Sequence, residues 1–393
     1  MNAADDRKRF LWFDTTNRLR IEAGKKRIPL IGTFELTARC NLACSLCFVR
    51  RDAADLQAAA LESEAEAWTA LADEARREGT LFLLLTGGEP LLRPDFWSIY
   101  GPLSRMGFIL TLYTNATLIG EAQAREFKRR PPAKAVVTLY GASAETYGAV
   151  CGHPEAFERA VAGIRRLVAA GVNTRVRATI SRDNVGDLDA LGRLAFELTG
   201  TRGIETSMML SPPVRGACTR AAERRLSPAA MAALDHGNDL GEPDPGRADE
   251  AGEGVTVSRL SGAIDAAKAG ATDYGALPPM YCAGGRSSFW LAWDGRMLPC
   301  ALMDRPFSSP FTDGFAPAWR TLTAETDLIP GADACQGCGD RAHCAVCPGR
   351  LQAETGSFTT VTPYLCDMAR RVHDKESAAQ QAFSPSFASS TRR

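Results

Sequence analysis

Three cysteines within one short stretch, Cys40, Cys44 and Cys47 in TARCNLACSLCFVR, constrain this chain more than any other feature of it. The C-x3-C-x2-C spacing sets three thiolates on one loop, enough to wrap a cubic iron-sulfur cluster and leave its fourth iron without a protein ligand. They belong to a set of 12 cysteines in 393 residues. The opening MNAADDRKRFLWFD mixes charges and has no apolar h-region, so it does not read as a signal peptide. No apolar run approaches the roughly 20 residues of a spanning helix. These features predict a cytoplasmic chain, in a reducing compartment where closely spaced cysteines serve metals rather than disulfides. The charges cancel, 46 Lys+Arg against 46 Asp+Glu, which argues against a nucleic-acid partner or an anionic membrane surface.

From residue 30 to about 210 short apolar runs alternate with amphipathic stretches, the pattern of βα units around a parallel sheet. Strands are expected at Ile31–Leu36, Leu81–Leu85, Phe108–Tyr113, Ala135–Tyr140, Thr174–Ile180 and Gly203–Leu210. Helices are expected near 62–78, 94–106, 118–130, 155–170 and 187–199. The arginine pairs Arg76–Arg77, Arg129–Arg130 and Arg165–Arg166 read as solvated helix surface. PPVRGACTRAAERR then reads as a linker, Ser227–Pro228 as a helix start, and residues 239–254, acidic and rich in Gly and Pro, as a mobile loop. Seven cysteines crowd between Tyr281 and Cys366 with little helical periodicity, which predicts a small metal-stapled domain. The expected division is an extension over 1–29, a βα domain over 30–210, a linker over 211–277, the cysteine-rich domain over 278–372 and a disordered tail over 373–393.

After the second expected strand comes Gly87-Gly88-Glu89-Pro90, at the carboxyl end where parallel barrels place their chemistry. Two glycines let a backbone approach a ligand, and Glu89 offers a carboxylate to an ammonium group. Joined to the cysteine triplet one strand earlier, this loop closely resembles the radical S-adenosylmethionine (SAM) superfamily. The resemblance covers roughly residues 30 to 210 and implies an α/β fold, a partial (β/α)6 barrel. It implies that Cys40, Cys44 and Cys47 hold a [4Fe-4S] cluster whose open iron is chelated by SAM, and that Gly87 to Pro90 binds the methionyl amine. Leu46 and Phe48 would then lie near the adenine. Asn115, Thr138, Arg177 and Ser181, at the ends of later strands, are further expected SAM contacts.

The later cysteines run Cys282, Gly295-x4-Cys300, Cys335-x2-Cys338-x5-Cys344-x2-Cys347 and Cys366. This resembles the SPASM extension of radical SAM peptide-modifying enzymes, which carries two auxiliary [4Fe-4S] clusters. The family usually separates its fifth and sixth cysteines by three residues; Cys344 and Cys347 are separated by two. By the family pattern Cys335, Cys338, Cys344 and Cys366 close one cluster, and Cys282, Cys300 and Cys347 hold three corners of the other. Cys218, His343 and Asp367 are lesser ligand candidates, and Cys151 reads as a packed thiol. Taken alone, the two C-x2-C knuckles also suit a tetrahedral zinc, the reading of a zinc-binding interaction module.

The resemblance implies an oxidoreductase that cleaves SAM reductively to methionine and a 5'-deoxyadenosyl radical, which abstracts hydrogen from an unactivated carbon. Auxiliary clusters suit removal of a second electron, so a net oxidation is expected. The favoured substrate is a ribosomal peptide, cross-linked or given a thioether; the alternative is dehydrogenation of a small molecule such as an aminoglycoside. A flavodoxin or ferredoxin as electron donor, and a separate leader-binding protein, are the expected partners. About 30 residues precede the first expected strand, too few for a leader-binding winged helix. Sulfatase-maturing relatives place an acidic base after the fourth strand, where this chain has Tyr140 in VVTLYGAS.

Overall fold

The computed structural model describes residues 15–383 except 17, 202, 235–278, 281 and 345. Six parallel strands form where apolar runs were expected: β1 (Ile31–Glu35), β2 (Phe82–Thr86), β3 (Ile109–Thr114), β4 (Lys134–Thr138), β5 (Thr174–Thr179) and a short β6 (Glu205–Ser207). Two more, β7 (Ser288–Leu291) and β8 (Met297–Leu298), come from the cysteine-rich part, and β7 pairs in parallel with β1. The sheet therefore has eight strands, with β1 in its interior. An unpaired β1 edge would expose a row of backbone donors and acceptors, and β7 covers it.

Residues opposite one another in a parallel ladder share a face. On one face Phe34, Leu83, Leu85, Leu112, Val137 and Ala178 are buried against the helices. On the other lie Thr33, Glu35, Thr86, Thr111, Tyr113, Thr138 and Arg177, a polar barrel interior. The outer layer is α1 (Ala65–Arg77), α2 (Phe96–Leu103), α3 (Glu121–Arg129), α4 (Ala144–Cys151), α5 (Ala156–Ala169) and α6 (Leu188–Thr199). α1 shows why: Trp68, Leu71, Ala72 and Ala75 recur at helical spacing and are buried, while Arg76 and Arg77 sit in the last turn, where cations suit the helix dipole. α4, which the periodicity did not reveal, is capped by Ser143 at Thr146 N (3.2 Å) and stopped by left-handed Gly152.

The boundary drawn at residue 210 is not a boundary in the core. Phe34 of β1 packs on Trp68 of α1 (5.1 Å between ring centres) and on Phe289 of β7 (6.4 Å), which in turn meets Phe315 (5.1 Å). Each such ring contributes about 1.5–3 kcal/mol on burial, so the C-terminal part is cemented to the barrel by apolar area as well as by strand pairing. That part is also less loop-like than expected. It contains α8 (Phe315–Asp327), the short α9 (Pro348–Thr355) and α10 (Pro363–Phe383), following α7 (Pro228–Leu234) of the linker. The expected tail is corrected accordingly: residues 373–383 continue α10, whose Leu365, Met368 and Ala369 anchor it in the core. The loop expected over 239–254 lies outside the described residues, as do 384–393. Among the described residues no helix is long and apolar enough to cross a membrane.

Candidate iron-sulfur and cofactor site

The cysteine triplet occupies a loop pinned at both ends. Arg39–Cys40 pairs with Arg51–Asp52 in a two-residue parallel ladder, closing the excursion that carries Cys44 and Cys47. Its middle docks on the end of α4: Ala43 N donates to Cys151 O and Ser45 N to Val150 O, both at 2.9 Å. Those carbonyls are ones a helix end leaves unpaired, so loop and helix satisfy each other. Cys40 and Cys44 are buried and Cys47 is half-buried. Burial pushes all three thiols up, and each is raised further by neighbouring negative charge: Glu89 and Cys47 for Cys40, which reaches about 12, and Cys47 and Cys40 for Cys44. Three sulfurs that repel one another in an apolar pocket suit a cationic iron cage, which supplies the charge that ionises them.

Gly87-Gly88-Glu89-Pro90 lies directly beneath that loop. Gly88 N donates to Thr37 O (2.7 Å) and Glu89 N to Arg39 O (2.9 Å). A Cβ on Gly87 would stand 2.3 Å from Thr37 O, and one on Gly88 2.4 Å from Arg39 O. The glycines thus let two backbones touch, a packing role beside the expected approach of a ligand. Gly88→Ala is expected to destabilise the fold by at least about 1–3 kcal/mol, the usual cost of overpacking, because a carbonyl cannot swing aside as a side chain can. Thermal unfolding of the variant checks this.

Glu89 is fully buried and held by three neutral donors: Leu91 N (3.1 Å), Thr114 Oγ1 (2.8 Å) and Asn115 N (2.7 Å). Burial raises its carboxyl to about 7, against the pull of those bonds. Asn115 links the two loops, its Nδ2 donating to Asn41 Oδ1 (2.9 Å) and facing Cys40 Sγ at 3.8 Å. Leu46 is buried in the main core, and Phe48 is partly buried beside Val49, Ala58 and Trp293. Thr138 and Arg177 are register partners on the interior face, with the Arg177 guanidinium 4.6 Å over the Tyr113 ring. Ser181 stands apart, wholly buried and bonded to Asn184 Oδ1 through both its N (2.8 Å) and its Oγ (3.3 Å).

Three contributors were not among the expected site residues. Thr114 had no motif to mark it, and Asn41 lies inside the cysteine motif without being one of its thiols. Tyr140 is buried beside Cys44, and burial then the nearby thiols push its hydroxyl well up; its position just past β4 was the available signal. Behind the site, Arg39 pairs with Glu62 (2.8 Å), and buried Arg93 holds Leu36 O (2.9 Å), Ser63 O (2.8 Å) and Asp95 (2.7 Å).

The C-terminal cysteines fall into two neighbourhoods. Burial raises Cys282, with Cys347 adding to it, and raises Cys300 to about 12, with Cys282 and Cys347 adding to it. In the second, burial raises Cys335, with Cys366 and Cys338 beside it, and Cys344, with Cys335 and Cys366 beside it. Among the described residues no three His, Cys, Asp or Glu side chains converge closely enough to share one metal ion. Cys218 is exposed, one residue from Thr219, whose Oγ1 donates to Cys47 O (2.6 Å). His343 and Asp367 are engaged elsewhere, with Glu376 (2.7 Å) and Arg371 (3.0 Å). Cys151 is a buried thiol turned to His153 O.

Known proteins match this geometry. The Radical SAM superfamily matches residues 34–195, the span from β1 through α6 that carries both the triplet and Glu89. Those residues form a radical SAM domain. The chain is 27% identical to the AdoMet-dependent heme synthase of Methanosarcina barkeri over 361 residues, 86% of this chain and 96% of that protein. It is 29% identical to the PqqA peptide cyclase of Ruegeria pomeroyi over 281 residues, 69% of this chain and 67% of that one. The chain spans less than half the length of several other relatives, two further heme synthases and a mycofactocin maturase among them. In fold it is similar to Streptococcus suis SuiB bound to S-adenosylmethionine, at a TM-score of 0.66 and 16% identity over 88% of this chain and 80% of that one.

Proposed function

We propose that this radical SAM enzyme oxidises a ribosomal peptide, installing a cross-link or thioether, with Cys40, Cys44 and Cys47 holding the SAM-binding [4Fe-4S] cluster. A cluster held there supplies, when reduced, the electron that cleaves SAM and so makes hydrogen abstraction accessible. The chain's own contribution is to bind and to exclude. Glu89 meets the SAM ammonium with a carboxylate that β3 and its loop hold in place; Asn115 and Asn41 fix that loop to the cysteine loop. Leu46, Phe48, Thr138 and Arg177 complete the SAM surroundings, and Tyr140 closes the wall beside Cys44. Cys335, Cys338, Cys344 and Cys366 would hold one auxiliary cluster and Cys282, Cys300 and Cys347 another. A flavodoxin or ferredoxin would donate the electrons, and a separate leader-binding protein would deliver the peptide.

The observation that carries the peptide reading is the match to a peptide cyclase over 281 residues, 69% of this chain and so more than the barrel alone. It is tested by co-expressing the chain with a short cysteine-rich or repetitive peptide encoded beside it. Loss of about two hydrogens per modification is expected, since the chemistry is a net oxidation; an unmodified peptide while SAM is turned over contradicts it. A second reading rests on the heme synthase match, which runs nearly the full length of that relative. A small-molecule substrate, of the heme-precursor kind or an aminoglycoside, would then lose hydrogen in the same site, and no peptide would change mass.

A further inference from the structure

One buried charge pair is not used by any of this chemistry. Glu35, the last residue of β1, faces the barrel interior with no exposed surface, and its Oε2 accepts from Arg215 Nη2 (2.8 Å) and from Trp290 Nε1 of β7 (2.7 Å). Both charged side chains of the pair are fully buried. Arg215 is in the left-handed region, φ 49°, which a residue with a side chain seldom adopts, and Gly216 follows at φ 79°. That turn delivers the guanidinium to a second set of acceptors: Arg215 Nη1 donates to Ala301 O (2.6 Å) and Met303 O (3.4 Å), in the turn that begins at Cys300. The backbone on either side grips the first cysteine loop. Val214 N donates to Phe48 O (2.9 Å), Thr219 Oγ1 to Cys47 O (2.6 Å), and Arg51 Nη1 to Gly216 O (3.3 Å).

We infer that Arg215 is a positioning residue that locks the Cys47 loop and the Cys300 turn to the end of β1, so that the two cysteine groups move as one body. One planar fork reaches a carboxylate and two carbonyls at once, a task a lysine ammonium cannot share out in the same way. The strap from 214 to 219 touches both loops, and Arg215 ties that strap to the barrel through a buried charge. The inference rests on the reading that Cys47 and Cys300 each serve a cluster, since fixing their separation then fixes the path between two redox centres.

The test is amide exchange on the reconstituted full-length holoenzyme. In the double variant Glu35→Leu/Arg215→Met no buried charge is stranded, so the fold should survive where a single replacement would not. Exchange is expected to rise by about tenfold or more at both 46–52 and 300–304 while β3 to β5 stay protected. In Arg215→Lys, the ammonium keeps Glu35 paired and releases the carbonyls, so exchange should rise at 300–304 alone. Unchanged exchange in both segments, or a uniform rise across the barrel, overturns the inference. Iron content separates this from the underlying reading: Cys300→Ala with no loss of iron would end the ligand assignment for Cys300, whereas the exchange result depends only on the strap.

Discussion

Replacing Cys40, Cys44 and Cys47 together by alanine is expected to abolish 5'-deoxyadenosine formation under dithionite and to leave the chain folded. The loop is held by bonds that the thiols do not make: the Arg39–Cys40 ladder with Arg51–Asp52, and the amides of Ala43 and Ser45 on the end of α4. Three sulfurs leave the pocket, a small loss of volume beside the core that β1, α1 and β7 share. The loss of activity should exceed by far the roughly 100-fold that removal of an outer-shell metal partner costs, because here the ligands themselves are gone. Circular dichroism and a 5'-deoxyadenosine assay on the same preparation check the two halves. Continued formation of the product in the triple variant would mean that the reaction centre lies elsewhere.

The second large effect concerns Glu89. Its carboxyl is raised to about 7 by burial in the ligand-free chain, and an ammonium group needs the ionised form. SAM affinity of the wild type should therefore weaken as pH falls through about 7, approaching a tenfold loss for each further unit below it. Glu89→Gln should bind SAM about 10–100-fold more weakly, the worth of a hydrogen bond to a charged group, and should lose that pH dependence. Calorimetric titration at pH 6 and pH 8 reads both. A pH-independent wild type would remove Glu89 from the ammonium site. Stability moves the other way. Because the folded carboxyl holds its proton more tightly than an unfolded one, this group stabilises the ligand-free fold at low pH. That contribution is lost as pH rises from about 4.5 to about 7.

The barrel was legible because its signals are local. Each strand from β1 to β4 is a short, largely apolar run, β5 alternates buried with polar residues, and α1, α5 and α6 repeat apolar residues at helical spacing. The triplet and Gly87 to Pro90 were legible for the same reason, being fixed by spacing within one loop each. What was not legible depends on distance along the chain. β7 is only four residues long and looks like loop until β1 is there to pair with it. Arg215 meets Glu35 across 180 residues, and Glu354 meets Arg225 across 129. Residues 373–383 look like tail because their polar composition hides that they continue α10, a helix anchored upstream by Leu365, Met368 and Ala369. Gly87 and Gly88 also serve a close approach to Thr37 O and Arg39 O, which a sequence cannot mark because it does not say which backbone a glycine will touch.

The account stands or falls on what the ten site cysteines hold. Anaerobic reconstitution followed by iron, sulfide and zinc analysis of the full-length chain measures this directly. Three cubane clusters predict about twelve iron and twelve acid-labile sulfide per chain, falling to about eight of each when Cys40, Cys44 and Cys47 are replaced. A chain that takes up zinc at the C-terminal cysteines, with no more than about four iron retained, would contradict it.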